Sequence, residues 1–240
     1  MSEIFTHYGE YPFRSDYLFE KFRFSFNSES RVFGYSRQTF HNQKKNLLIT
    51  LDYVDKVIVQ PSEPLVSDLP KTHLLLELSE PLVFPPDSEV HGFFDFPISV
   101  AILVKTNNKI TLIDLFQLLP TKFALYGNSH NGVLCRYWKT SFNSAPIEPK
   151  IFETGVLEIE IQNNSSSSIT LTRLVLDFAY IELFYNSTVV KAKARARIQS
   201  ESLCETQFLS PSNVQNFVKS YDLIPTKILS SSKFIMLNGI

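Results

Sequence analysis

Apolar and polar residues alternate singly along most of the chain. Phe22, Phe24 and Phe26 alternate with Arg23 and Ser25, turn-forming residues follow at 27–30, and the pattern resumes over 31–38, which predicts a β-hairpin. Similar runs rich in Phe, Val, Ile, Thr and Tyr occupy 46–54, 56–60, 72–78, 89–96, 98–105 and 109–115. They recur at 133–138, 156–162, 169–178, 180–185 and 188–199. Each is expected to be a strand, because β-branched and aromatic side chains fit a pleated, half-buried surface. Residues 106–108 predict a tight turn, since Asn tolerates the left-handed backbone such turns need. One helix is expected near the C-terminus: Ser210 can cap it, Pro211 suits its first turn, and Val214, Phe217, Val218 and Tyr221 fall on one face. The segment NSAPIEPK (143–150) has two prolines and one large aliphatic residue, which places a boundary near residue 148. The expected fold is therefore all-β, with two β-sandwich-like units of mostly antiparallel strands and one short C-terminal helix. Residues 1–148 form the first unit, and 149–240 an immunoglobulin-like unit with the terminal helix and tail.

Composition supports a packed core and narrows the functions. Of 240 residues, 44% are hydrophobic and 13% aromatic, and 23 basic against 24 acidic residues give a formal net charge of −1. No overall field draws the chain to nucleic acid or an anionic membrane, so such a partner would need a local patch. The longest apolar run, 100–104, is too short to span a bilayer, and residues 1–13 lack the basic start and apolar stretch of a secretory signal. No membrane association and a cytoplasmic setting are expected. Cys135 and Cys204 form no C-x-x-C pair, which argues against a disulfide framework or a thiolate zinc site, and both thiols are expected to be reduced.

The densest local signal is YGNSHNGVLCRYWK (126–139). Its G-x-x-x-x-G spacing at Gly127 and Gly132 suits a phosphate-binding loop, but Val133 and Leu134 stand where Lys and Ser or Thr are needed. A loop leading into a strand is expected instead. In that strand Leu134, Arg136 and Trp138 share one face, and Arg136 is a candidate either to stack on Trp138 or to grip a carboxylate bidentately. Asn131, Arg136, Trp138 and Lys139 are the candidate ligand contacts. His130 and Cys135 admit a nucleophile reading only if they touch, and five residues of loop and strand do not assure that. His7, His41, His73 and His91 are scattered singly, so no metal and no cofactor is expected. Asp114 is read as a polar residue entering a loop in preference to a buried acid. The clearest charge pattern, VKAKARARI (190–198), puts Lys191, Lys193, Arg195 and Arg197 on one sheet face over about 20 Å. These four are candidate anion-binding residues; the favoured expectation is that Glu158, Glu160 or Glu182 neutralises them across the sheet.

Several segments taken together resemble a known family. YGNSHNGVLCRYWKTSF, TGVLEIEIQNN, ITLTRLVLD, ELFYNSTVVKAKARARI and CETQF match, in order and spacing over 74–208, an archaeal family known as domain of unknown function 432. The resemblance implies no activity, cofactor or substrate. The serine run 165–168 departs from the family pattern and is expected to alter only a turn. The leading functional reading is a non-catalytic binding or assembly module with a macromolecular partner, and self-association is a further possibility. One alternative is a hydrolase-like enzyme acting on an anionic substrate near Arg136 and Lys139, with His130 or Asp114 as base. The other is an anion or nucleic-acid binder through Lys191–Arg197, with nucleic acid not favoured.

Overall fold

The computed structural model describes residues 4–29, 32–40, 43–50, 53–63, 73–107, 109–211, 214–223 and 233–240. Its strands are β1 (Ile4–Phe5), β2 (Gly9–Pro12), β3 (Asp16–Phe19), β4 (Phe22–Glu29), β5 (Val32–Thr39), β6 (Lys44–Thr50) and β7 (Lys56–Ser62). There follow β8 (His73–Phe84), β9 (Ser88–Pro97), β10 (Ser99–Thr106), β11 (Lys109–Phe116), β12 (Lys122–Tyr126), β13 (Val133–Thr140) and β14 (Thr154–Asn163). The last are β15 (Ile169–Asp177), β16 (Phe184–Tyr185), β17 (Val190–Ser200), β18 (Leu203–Leu209), β19 (Val218–Lys219) and β20 (Lys233–Met236). Asn107, in the β10–β11 turn, has φ of 45°, the left-handed geometry expected there.

Four sheets form. Sheet I has the order β1-β3-β4-β5-β6, sheet II β11-β10-β7-β2, and sheet III β12-β13-β8-β15. Sheet IV runs β19-β16-β17-β14-β9, with β18 on β17 and β20 on β18. Most pairs are antiparallel; β1–β3, β8–β13 and β14–β17 are parallel. Sheets I and II pack face to face over an aromatic core. Phe19 and Phe22 stack with ring centres 4.6 Å apart, Tyr17 and Phe24 do likewise at 4.6 Å, and Phe116 of β11 meets Phe22 edge-on at 5.1 Å. Such ring pairs add specific geometry to the area they bury. Sheets III and IV pack through Leu174, Leu176, Ala194, Ala196 and Cys204, all fully or almost fully buried.

Sheet membership is interleaved along the chain. Sheets I and II take β1–β7, β10 and β11, whereas sheets III and IV take β8, β9 and β12–β20. The position near residue 148 does not coincide with a break in hydrogen bonding: β8 pairs with β15, and β9 with β14 along ten residue pairs. Just beyond it, Phe152 adopts φ of 67° and enters the aromatic core of the first two sheets. Its ring lies 4.7 Å from that of Tyr8 and 5.3 Å from that of Phe22.

The expected C-terminal helix is a correction. Residues 212–213 lie outside the described residues, but the rest of the segment is not helical. Val218–Lys219 pair as β19 with Phe184–Tyr185, and the backbone of Tyr221 exchanges two hydrogen bonds with the side chain of Gln60. Ser210 donates its hydroxyl to Glu182 instead of capping a helix. The segment is short and contains Val, Asn, Ser and Phe, weak helix formers, so an open sheet edge outcompetes its helical periodicity. The only helical element among the described residues is the 3₁₀ turn Phe178–Tyr180. Six further strands escaped the sequence pattern, β1, β2, β3, β12, β18 and β20, each paired with a neighbouring strand. No helix among the described residues is long and apolar enough to cross a membrane.

Candidate functional site

The segment 126–139 is a turn followed by strand β13, with no helix after Gly132. Gly127 takes φ of 98°, a conformation glycine adopts without steric cost. Asn128 then closes the turn: its side-chain oxygen accepts from the backbone N–H groups of His130 (2.9 Å) and Asn131 (3.1 Å), and its carbonyl from Gly132 (2.8 Å). Both His130 and Asn131 are exposed. Cys135 is buried and its thiol is pushed up to about 12 by burial, so it lacks the thiolate character a nucleophile needs. Cys204 is also buried, unbridged and pushed up to about 12.

Trp138 is not a stacking partner for Arg136. Its indole N–H donates to Asp95 Oδ2 (3.1 Å), whose other oxygen accepts from Thr140 Oγ1 (2.6 Å). Lys139 is exposed and points to the opposite face from Arg136. Arg136 itself is 2% exposed, and neither Nε nor Nη1 has a hydrogen-bond partner. Burial lowers its pKa to about 10, so it stays charged at neutral pH. The four candidate contacts thus divide among an exposed turn, a buried charge, a tethered indole and an exposed amine.

Three of the four basic residues of β17 are paired with carboxylates in a ladder. Lys193 Nζ lies 3.1 Å from Glu158 and 2.8 Å from Glu160, and Arg195 Nη2 lies 2.7 Å from Glu160. The parallel register places Glu158 beside Lys193 and Glu160 beside Arg195. Arg197 reaches Glu205 (3.6 Å) on β18, and Lys191 lies over the ring of Phe217 at 4.4 Å. Glu182 pairs instead with Lys219, at 2.6 Å. Glu205, which sequence reasoning missed, comes from a strand the sequence pattern had not shown.

Asp114 is a buried acid, which corrects its reading as a loop residue. It is 1% exposed, accepting from Tyr35 Oη (2.8 Å), Arg37 Nε (2.6 Å) and Lys45 Nζ (2.7 Å). A register shift in the β10–β11 pairing turns Ile113 and Asp114 inward in succession, which is what a β-bulge does to the period of two. Arg37 also lies over Phe116, 4.3 Å from the ring centre. This cluster ties sheet I to sheet II, and two cations balance its carboxylate charge.

A different feature forms a broad concavity. The open face of sheet I carries two rows across four strands: Asp16, Ser25, Ser36 and Asn46, and beside them Leu18, Arg23, Gln38 and Lys44. These residues and Arg14, together with the buried Phe5, Tyr17, Phe24 and Arg37, line a half-open cavity of about 680 Å³. Ser25 and Ser36 hydroxyls are 2.8 Å apart, and Arg23 Nη2 donates to Gln38 Oε1 (2.7 Å). The polar half of the alternating strands carries these residues in the sequence, but local alternation cannot distinguish a concave face from an ordinary solvent-facing one. Among the described residues no group of three or more His, Cys, Asp or Glu is placed to hold a metal ion.

The model of a family described as protein of unknown function (DUF432) matches residues 7–237. Neither a curated protein nor a solved structure matches the chain.

Proposed function

The chain belongs to the DUF432 family of proteins of unknown function, and from its geometry we propose that it is a non-catalytic binding module whose ligand face is the open side of sheet I. The observation that carries this reading is the cavity of about 680 Å³ lined by the two cross-strand rows. Arg14, Arg23 and Lys44 outweigh Asp16 in charge there, and the Ser, Asn and Gln side chains offer both donors and acceptors. Three strand spacings of about 4.8 Å make the rows about 14 Å wide, room for an extended polymer. An acidic polysaccharide fits better than single-stranded nucleic acid, because the aromatic rings that line the cavity, Phe5, Tyr17 and Phe24, are buried and offer no free face on which bases would stack. The basic strand β17 offers less, since its carboxylate partners already screen it. A hydrolase near Arg136 has little support: Asp114 is enclosed by Arg37 and Lys45 between sheets I and II, and His130 sits in an exposed turn of sheet III. A cytoplasmic setting fits two unbridged cysteines.

Chromatography on immobilised heparin tests the proposal. The wild type is expected to be retained at low salt and released as salt rises. The double variant Arg23→Ala, Lys44→Ala should elute much earlier, while Lys193→Ala, Arg195→Ala should elute with the wild type. Retention governed by the second pair would move the ligand face to β17, and cleavage of the polymer would favour an enzyme.

A further inference from the structure

We propose that Arg136 anchors a second, separate binding site, which takes a small organic monocarboxylate borne on an apolar body. The guanidinium is 2% exposed, and among the described residues it makes no ion pair, while Nε and Nη1 lack any hydrogen-bond partner. A buried charge left without a counter-charge costs several kcal/mol, so native interiors supply one. Its neighbours cannot. Phe123, Leu74 and Leu176 stand level with it on the adjoining strands, and Leu134 and Trp138 flank it along β13. The carboxylate that Trp138 meets, Asp95, is committed to Trp138 and Thr140.

The same surroundings specify the ligand. One guanidinium balances one negative charge, and no second cation or hydrogen-bond donor on these neighbours would hold a phosphate dianion. Nη2 forms a fork with Nε on one side and with Nη1 on the other, and each fork matches the two oxygens of a carboxylate. Leucine and aromatic side chains around the fork suit an apolar body behind the carboxylate. The way in lies past β12, an edge strand of sheet III paired only with β13, where Phe123 is 38% and Leu125 46% exposed. Entry here requires only that the edge side chain Phe123, level with Arg136, swing aside, with no sheet broken in its interior.

The experiment is thermal unfolding of the full chain in sodium benzoate, in benzamide, and in sodium phosphate and sodium chloride at matched ionic strength. Benzoate at about a hundred times its Kd should raise Tm by about 5 °C or more. Benzamide, which has the same shape without the charge, and phosphate should leave it at the chloride value. Arg136→Met should abolish the benzoate response; if that variant does not fold, Arg136→Lys, which keeps the charge and loses the fork, should retain less than half of the shift. Equal effects of benzoate and benzamide, an equal effect of phosphate, or a full benzoate shift in either variant would overturn the proposal. The wild-type comparison stands without any variant, and it is independent of heparin retention by sheet I.

Discussion

A carboxylate held by two cations and a phenol, as at Asp114, is stable only while its partners are present. Asp114→Asn leaves Arg37 facing a neutral amide in a buried site, and we expect it to lower unfolding stability by about 3–5 kcal/mol, read from urea midpoints. Tyr35→Phe removes a single donor and should cost about 1 kcal/mol. Buried groups also set the pH limits. Burial pushes the Cys135 and Cys204 thiols from 9.0 up to about 12, so above pH 9 the unfolded chain releases protons that the folded chain keeps. Stability is therefore expected to hold up to pH 9 and to fall as pH rises towards 12; Tyr17 and Tyr185, raised by burial from 10.0 to about 12, act in the same direction. Glu160 works at the other end. Burial alone would raise its pKa, but hydrogen bonds from Lys193 and Arg195 hold it below 4.5, so its contribution is present above pH 4.5 and is lost as pH falls through the lowered value. A series of urea midpoints against pH reads both limits, and rapid reaction of the native thiols with a disulfide reagent at pH 8 would contradict the first.

At the scale of strands, the β14–β17 ladder and the β9–β14 edge respond differently to substitution. Lys193→Ala with Arg195→Ala removes partly exposed ion pairs and should cost at most about 2 kcal/mol, less at high salt. Gly92 on β9 is less tolerant. A Cβ there would lie 2.2 Å from the Phe142 ring and 2.8 Å from the carbonyl of Asn143, whose backbone bridges to Phe93. Gly92→Ala is therefore expected to lower stability by about 1–3 kcal/mol, and Phe142→Ala in the same chain should recover part of that loss by removing the ring that blocks the new methyl.

At the scale of the whole molecule, the interleaving of sheets makes the two halves of the chain interdependent. Cutting near residue 148 separates β9 from β14 and β8 from β15, and withdraws Phe152 from Tyr8, Phe19 and Phe22. Fragments 1–148 and 149–240 expressed singly should give no dispersed amide spectrum, whereas the mixed fragments should regain one. Folded spectra from either fragment alone would establish it as an autonomous unit. The same connectivity raises contact order, so folding is expected to be slow for a chain of this length.

The sequence by itself determined which side chains share a face, because the period of two is a local property of extended backbone. Phe22, Phe24 and Phe26 turn inward as their alternation requires, Lys191 to Arg197 line one face of β17, and residues 126–139 are turn and strand, all legible without a partner strand. Tertiary structure decided what each face meets. Arg197 finds Glu205 and Lys219 takes Glu182 because sheet order, which no local pattern encodes, sets the neighbours. Asp114 turns inward because a bulge against β10 resets its period, and 214–221 is not helical because β16 offers an open edge. The cavity on sheet I and the unpaired charge of Arg136 are of this second kind: polar and charged residue types are readable in the chain, but concavity and burial arise only when distant strands are brought side by side.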